Sequence, residues 1–357
     1  MKRLIAMILA AMMLFSLTAC GSKTEAPAAV VADSTNESNG NDTAGETSDE
    51  VEEVTLKFAH TKSEESYIHK AALQFKDKAA ELSGGKITIE VYSNGQLGDE
   101  PECLEGMIMG NIDAGMLAPG NLASINSSFS VFDMPYLFKG NEHVDVALLD
   151  ENAAPRQYLD EQAANAGVKI LSWAATGARC FCNNIRPIEV PSDMQGIRMR
   201  TPTWPILMDV VQSFGGTVTP MSYSEVYMAL QQGVTDGYEN PVWVTAQENK
   251  WEVVKYLTVD NHNANCDTIC MSLKVWNELS PKQQEILGEA AVLAMDELTE
   301  TIRADEEEML KYLEEKGMEI VREIDVEVWS SACDYIYDKF AGEYDEELVN
   351  LIKDVAP

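Results

Sequence analysis

The sequence predicts an α/β protein with two lobes, and three observations support that prediction. From Val54 onwards, short segments with apolar residues at every second position alternate with segments where they recur every three to four positions. This βαβα order is typical of a mostly parallel sheet flanked by helices. The roughly 300 residues that follow are enough for two lobes with separate cores. Near the end, Ser280 opens a helical stretch that reaches Gly317, about 50 Å long and longer than one small lobe is wide.

The first predicted strand is Val54–Ala59, where apolar and polar residues alternate. A helix follows and runs to Leu82, because the Gly84-Gly85 pair interrupts the helical pattern. Ile87–Tyr92 is the next strand. A second helix and a strand near 112–117 complete this part of the chain.

Strands and helices also alternate in the second half. Residues 196–202 alternate apolar and basic side chains and stop at a proline, which predicts a strand. Pro205 opens a helix that stops at a Gly-Gly pair. Ser222 and Glu225 have the spacing of a capping box, so another helix begins there.

The N-terminus has the pattern of an export signal. Lys2 and Arg3 precede an apolar run over 4–17, which is shorter than the ~20 residues of a membrane span. The sequence Leu-Thr-Ala-Cys closes the run and resembles the bacterial lipoprotein cleavage box. We therefore predict a signal peptide over 1–20, lipidation of Cys20, and a lipid-anchored protein on the outer side of the cell membrane. Residues 21–53 contain no aromatic side chain and are predicted to be a disordered tether.

The charge of the chain excludes some partners. Asp and Glu number 59 against 26 Lys and Arg, which gives a net charge of −33. Such an acidic protein is not expected to bind nucleic acid or an anionic membrane surface. A site for an anionic ligand would therefore have to be locally basic.

The cysteines allow three interpretations. Six follow Cys20, and two pairs are close in sequence: Cys180 with Cys182, and Cys266 with Cys270. They are buried thiols, a disulfide between the two pairs, or ligands of a zinc ion. Neither pair has the C-x-x-C spacing of a zinc site, so we predict no metal and no cofactor.

Arg200 is the strongest candidate for a binding residue. It lies near the end of the predicted strand over 196–202, and open α/β sheets bind their ligands at the carboxyl ends of strands. A guanidinium there offers a planar fork that matches a carboxylate.

Two motifs nearby resemble a known family. Residues 221–231 read MSYSEVYMALQ and residues 233–241 read GVTDGYENP. Together with Leu97-Gly98 and the first strand, they closely resemble the solute-binding proteins of tripartite ATP-independent periplasmic (TRAP) transporters. The resemblance covers nearly all of the chain after the tether. It implies a periplasmic-binding-protein-like fold, in which two α/β lobes are joined by hinge strands and a long C-terminal helix spans both lobes.

The resemblance also implies a binding site. Arg200 matches the family's arginine that binds the ligand carboxylate, and Arg179 matches a second arginine beside it. Asn240 matches an asparagine that binds the same carboxylate region, Tyr223 an aromatic that packs on the ligand, and Thr61 a polar contact. Glu100 and His60 are further candidates from the first lobe. The cysteine-rich run over 180–184 departs from the family's usual polar sequence.

The resemblance implies that the protein captures a small organic anion, either a sugar acid such as a hexuronate or a C4-dicarboxylate, and delivers it to a membrane permease. We expect a monomer. Lobe I is predicted over 54–176 and about 266–305, and lobe II over 177–265 and about 306–357.

Two other functions are compatible with an exported binding fold. One is a sensory receptor lipoprotein that binds the same ligand and signals to a partner. The other is a lipid-anchored hydrolase, but the four histidines have neither nucleophile-elbow nor metal-site spacing. We therefore predict that the protein is not an enzyme.

Overall fold

The computed structural model of the protein describes residues 51–355. The predicted signal peptide, Cys20 and nearly all of the predicted tether lie outside the described residues. Within them, no helix has both the length and the apolar composition that a membrane span requires.

Strands and helices alternate through the first half, as the sequence predicts. The side chain of Ser66 accepts a hydrogen bond from the His69 backbone and so caps the first helix, which ends before the Gly84-Gly85 pair. The elements are β1 Val54–Ala59, α1 Tyr67–Leu82, β2 Ile87–Tyr92, α2 Glu100–Met109, β3 Ala114–Leu117, α3 Asn141–Val144, α4 Ala154–Asn165 and β4 Val168–Asn183.

The second half also contains the predicted helix starts. Ser222 and Glu225 form the expected capping box around a single 3₁₀ turn that leads into a helix. The elements are β5 Arg198–Arg200, α5 Pro205–Ser213, β6 Thr217–Val218, α6 Val226–Gln231, β7 Gly237–Pro241, α7 Val242–Gln247, β8 Tyr256–Ser272, α8 Leu273–Glu278, α9 Pro281–Glu315, β9 Glu319–Val321, α10 Val326–Cys333, α11 Tyr335–Lys339 and α12 Glu346–Asp354.

Nine strands in the described residues form one continuous sheet. Its order is β2-β1-β3-β8-β4-β7-β5-β6, and β9 pairs with the start of β8. Strands β4 and β8 are 16 and 17 residues long and run side by side through the centre. They therefore connect the β1–β3 end of the sheet to the β5–β7 end.

The sheet is less parallel than the sequence predicts. The outer pairs β1–β2, β1–β3, β5–β6 and β5–β7 are parallel, but β8 pairs antiparallel with β3 and with β4, and β4 pairs antiparallel with β7. The two central strands account for this difference. They cross the molecule in opposite directions, and the sequence analysis did not identify them.

Buried apolar side chains form two clusters, one on each face of the sheet. Neighbours along a strand alternate between them: Phe58 belongs to the first and Ala59 to the second, and likewise Cys182 and Phe181. Side chains alternate faces along a strand, so a continuous sheet divides the core in this way. Each cluster contains residues from both predicted lobes.

The long helix α9 contains 35 residues, close to the predicted length. Ser280 caps it in a capping box with Gln283, and proline occupies its first turn. The helix packs against α1, α7, β4 and β8, so it contacts both ends of the sheet.

Cysteines 103, 180, 182, 266, 270 and 333 are all buried free thiols. Across the β4–β8 ladder, Cys266 lies opposite Ala175 and Cys270 opposite Ile170, so neither faces Cys180 or Cys182. Residues 51–355 contain no group of three side chains placed to hold a metal ion. Of the three interpretations of the cysteines, the structure supports the first, in which they are buried thiols.

Candidate functional site

The candidate site is a cleft at the carboxyl ends of β5 and β7. Its empty space is about 720 Å³, including the part open to solvent. One wall comes from β4, β5 and β7, and the opposite wall from the start of α2. Five residues that the sequence singles out line the cleft together: Arg179, Arg200, Asn240, Tyr223 and Glu100.

Arg200 is buried yet has no carboxylate partner. Its side chain is 3% exposed, and its Nε and Nη2 both donate to the carbonyl oxygen of Met221, at 3.1 and 2.7 Å. No carboxylate oxygen of residues 51–355 lies within 4 Å of its guanidinium. Burial, together with the charge of nearby Arg179 and against the opposing charge of Glu239, lowers the pKa of Arg200 to about 10, so the group still carries its charge at neutral pH. It is a desolvated cation able to bind an acid.

Arg179 is in a different state. Its Nη2 donates to Oε1 of Glu239 at 2.9 Å and its Nε donates to Oε2, while Nη1 donates to Oδ1 of Asn265 at 2.7 Å. Both charged partners are buried. The guanidinium of Arg179 is therefore already neutralised by the protein itself.

A chain of charges continues from Glu239 into the core. His262 lies 3.6 Å from Oε2 of Glu239 through its Nε2, and 2.7 Å from Oδ2 of Asp260 through its Nδ1. Burial alone would raise the pKa of Glu239, but the charge of Arg179 and the nearby His262 lower it to about 2. Burial alone would lower the pKa of His262, but the two carboxylates raise it to about 8. Positive and negative groups thus alternate across β4, β7 and β8.

Asn240 lies next to Glu239 on β7 and is 6% exposed. Its Nδ2 is buried and has no hydrogen-bond partner among the described residues. A buried donor without a partner is costly, and a ligand oxygen would satisfy it.

Tyr223 is held between two lysines. Its hydroxyl accepts a hydrogen bond from Nζ of Lys250 at 2.9 Å, and Nζ of Lys62 lies 3.7 Å from the centre of its ring. Burial lowers the pKa of Lys250 to about 7. The ring forms part of the cleft wall, and its edge is anchored in the protein.

Glu100 is fully engaged by the first half of the chain. Its Oε1 accepts from Thr61 and Lys62, and its Oε2 accepts from the backbone of Ala118 and the side chain of Asn121. The carboxylate therefore fixes the position of Lys62, which also lines the cleft.

Thr61 and His60 lie behind the cleft wall. Thr61 reaches the site only through its hydrogen bond to Glu100. His60 is 1% exposed, and its Nε2 lies 3.0 Å from Nδ1 of His69. The two histidines connect β1 to α1, and neither lines the cleft.

Several lining residues were missed by the sequence analysis, namely Lys62, Asp99, Asn265 and Asp267. Asn265 and Asp267 lie on β8, which was not identified as a strand. The sequence therefore did not indicate which way their side chains point. Burial, helped by the charge of Glu100, raises the pKa of Asp267 to about 6. Lys62 and Asp99 could have been found, because each is the sequence neighbour of a predicted contact, Thr61 and Glu100 respectively.

Comparison with known proteins supports the fold and the family. Residues 58–343 match the family model of bacterial extracellular solute-binding protein, family 7. A solute-binding protein of Roseobacter denitrificans is 32% identical over 283 residues, which cover 79% of this chain and 85% of that protein.

Two solved structures are similar over most of the chain. One is a TRAP periplasmic solute-binding protein of a Polaromonas species bound to D-erythronate, with 28% identity, a TM-score of 0.81, and coverage of 85% of this chain and 100% of that one. Another, from a Sulfitobacter species with bound β-D-galacturonate, has 28% identity, a TM-score of 0.80, and coverage of 84% and 100%.

These matches confirm the two-lobed binding-protein fold and agree with the cleft described above. The proteins matched are binding components of transporters, so the expectation that the chain is not an enzyme is confirmed as well. The chain belongs to the bacterial extracellular solute-binding proteins of family 7 and is a solute-binding protein of the TRAP type.

Proposed function

We propose that the protein captures a polyhydroxylated sugar acid through a pair between Arg200 and the ligand carboxylate. The observation that supports this most directly is the state of Arg200, which is buried, charged and without a carboxylate partner among residues 51–355. An acid bound there would be shielded from water, which strengthens the charge pair. The unpartnered Nδ2 of Asn240 would donate to the same acid group.

The site favours one acid group over two. Arg179 is neutralised by Glu239, and Lys62 is paired with Glu100 at 3.3 Å. Among the described residues that line the cleft, Arg200 is therefore the cation without a carboxylate partner. The rest of the cleft offers acceptors, including Asp99 and Asp267. Carboxylates accept hydrogen bonds from hydroxyl groups and repel a second carboxylate. These features favour a sugar acid over a C4-dicarboxylate, and the D-erythronate and β-D-galacturonate complexes of the two similar proteins agree with this.

Capture would proceed by closure of the two lobes. In the proposed mechanism the acid binds Arg200 on lobe II, the walls of the cleft approach, and the closed form is stabilised by the ligand. The closed protein then delivers the anion to the integral-membrane TRAP permease. The lobes would follow the boundaries predicted from sequence, 54–176 with about 266–305 and 177–265 with about 306–357.

We also propose that Cys20 anchors the protein to the outer face of the cell membrane through a lipid. The test is to compare the full-length chain with Cys20→Ala in a bacterial host that processes lipoproteins. The parent should fractionate with membranes and take up labelled fatty acid, and the variant should do neither. A parent found only in the soluble extracytoplasmic fraction would contradict the anchor.

The ligand is tested by thermal shift followed by calorimetry. Sugar acids, C4-dicarboxylates and keto acids are screened against the folded protein, because a tight ligand raises the melting temperature by mass action. The tightest is then titrated into Arg200→Ala, Arg200→Lys and a control, Arg198→Ala. Arg198 lies on the same strand, but its side chain is exposed and paired with Asp236.

Losing one partner of a buried charge pair costs about 2–5 kcal/mol. Arg200→Ala should therefore weaken binding by about 30-fold or more. Arg200→Lys should restore little, because it keeps the charge but loses the fork. Arg198→Ala should bind like the parent. An Arg200→Ala protein that binds with the parent's affinity would show that the acid is held elsewhere.

A further inference from the structure

A second cavity lies directly beside the ligand cleft. The two cavities share four lining residues, Pro101, Asn121, Thr203 and Trp204. The second has an empty space of about 970 Å³, including the part open to solvent. These four residues therefore lie between the cleft and the second cavity.

The indole of Trp204 belongs to this wall between the two cavities. The guanidinium carbon of Arg179, which lines only the cleft, lies 5.4 Å from the centre of the indole. Gly120, which lines only the second cavity, lies against the six-membered ring of the indole. A Cβ atom at Gly120 would lie 2.9–3.1 Å from three carbons of the indole. The ring thus stands in a slot between the two cavities that only glycine leaves wide enough.

The second cavity has the chemistry to hold hydroxyl groups. Its lining includes the hydroxyls of Ser124, Ser127 and Ser130 and the carboxyls of Asp133 and Glu343. Asp133 is 2% exposed, and its Oδ1 has no hydrogen-bond partner among the described residues. Burial raises the pKa of Asp133 well above its usual value, so this carboxyl can donate as well as accept. No Lys or Arg of residues 51–355 lines the cavity, so it suits a neutral polyhydroxylated group and not a second acid.

We propose that Trp204 sets the length of ligand that the protein accepts, and that the cavity behind it is a latent subsite for a second, neutral sugar unit. This inference rests on the proposed function, because the acid end must bind at Arg200. With the indole in place, the cleft ends at Trp204 and holds a single sugar acid. Without it, cleft and cavity become one continuous groove.

The test compares two acids that share the same acid end. Gluconate and lactobionate, which is gluconate carrying a galactosyl unit, are titrated calorimetrically into the parent, Trp204→Ala and Trp204→Phe. The parent should bind lactobionate at least about 100-fold more weakly than gluconate. Trp204→Ala should reduce that ratio at least about tenfold, and Trp204→Phe, which keeps an aromatic wall, should leave it nearly unchanged.

A second variant tests the wall from the other side. Gly120→Ala pushes the indole towards Arg179 and narrows the cleft, so it should weaken gluconate binding more than binding of the shorter D-erythronate. Melting curves show that each variant is folded.

Three results would overturn the inference: a parent that binds lactobionate as tightly as gluconate, a folded Trp204→Ala that keeps the parent's ratio, or a Gly120→Ala that affects both acids equally. A wrong proposed function would give a different result from a wrong inference about Trp204. The parent would then bind no sugar acid in the screen, and both proposals would be contradicted.

Discussion

Arg179 and Glu239 form a bidentate ion pair beside the cleft, which Arg179 lines, with Nη2 of the arginine 2.9 Å from Oε1 of the glutamate. The arginine lies on β4 and the glutamate on β7, so the pair also joins two strands of the sheet. The two arginines of the site therefore differ in their partners. Arg179 is paired with Glu239, and Arg200, which has no carboxylate partner among the described residues, is the one proposed to bind the ligand.

Glu239→Gln should strongly destabilise the protein. The substitution keeps the shape of the side chain but leaves the charge of Arg179 buried and unpaired, which typically costs about 3–5 kcal/mol. The measurement is the free energy of unfolding in urea. Glu81→Gln is the matched control, because Glu81 pairs with Lys78 on an exposed helix surface and should show no measurable change. Equal stability of Glu239→Gln and the parent would mean that the pair is not formed.

His262 should make stability depend on pH above neutrality. Its pKa is raised from 6.5 to about 8 in the folded protein, so its contribution is complete below about pH 6.5 and is lost as pH rises through 8. A shift of that size corresponds to about 2 kcal/mol.

The check is the free energy of unfolding of the parent minus that of His262→Gln, measured from pH 6 to 9. Other groups that titrate in this window, Lys250 among them, are common to both proteins. The difference should decrease with rising pH. A flat difference would show that His262 has the same pKa in the folded and unfolded chains.

Two glycine-to-alanine substitutions should have opposite effects. At Gly237 in β7, a Cβ would collide with the carbonyl oxygen of Cys182 and lie 2.7 Å from Sδ of Met199. At Gly288 in α9, nothing lies within 4 Å. Gly237→Ala should cost about 2 kcal/mol or more, and Gly288→Ala should stabilise by about 0.5–1 kcal/mol, because alanine favours the helix. Urea unfolding curves of the two variants test whether the first is less stable than the parent and the second more stable.

The hydrogen bond between Ser224 and Asp99 should stabilise the closed, ligand-bound form. The hydroxyl of Ser224 donates to Oδ2 of Asp99 at 2.7 Å and connects the two predicted lobes. Losing one such hydrogen bond costs about 1 kcal/mol, so Ser224→Ala should release ligand about fivefold faster. Stopped-flow dissociation measures the rate. Ser330→Ala, which removes a hydroxyl on α10 that does not line the cleft, should release it at the parent's rate.

The sequence predicted those helices and strands that begin or end at a residue with a strong local preference, such as a capping serine, a glycine pair or a proline. Helix α1 stops at a Gly-Gly pair, α9 starts at a Ser-Pro cap, and β5 stops before a proline. Each signal acts within a few residues, so no knowledge of the fold was needed.

The two central strands were missed for the opposite reason. Strand β4 contains the run Ala174-Ala175-Thr176-Gly177-Ala178, which has no alternation, and its ladder with β8 shifts register at three places. These strands are specified by pairing between distant parts of the chain. The partners of Arg179 and the orientation of Asp267 depend on the same pairing.

The break in the ladder between Ala175 and Ala178 includes Gly177, whose φ of +96° is readily adopted only by glycine. This irregularity lies two residues from Arg179, which lines the cleft, so a pivot at Gly177 in the proposed closure would lie beside the ligand site. In the proposed closure, a small rotation about Gly177 would move the distant rims of both lobes through a much larger arc than the contacts around the acid. A partner that contacts those rims would then distinguish a filled cleft from an empty one without entering it.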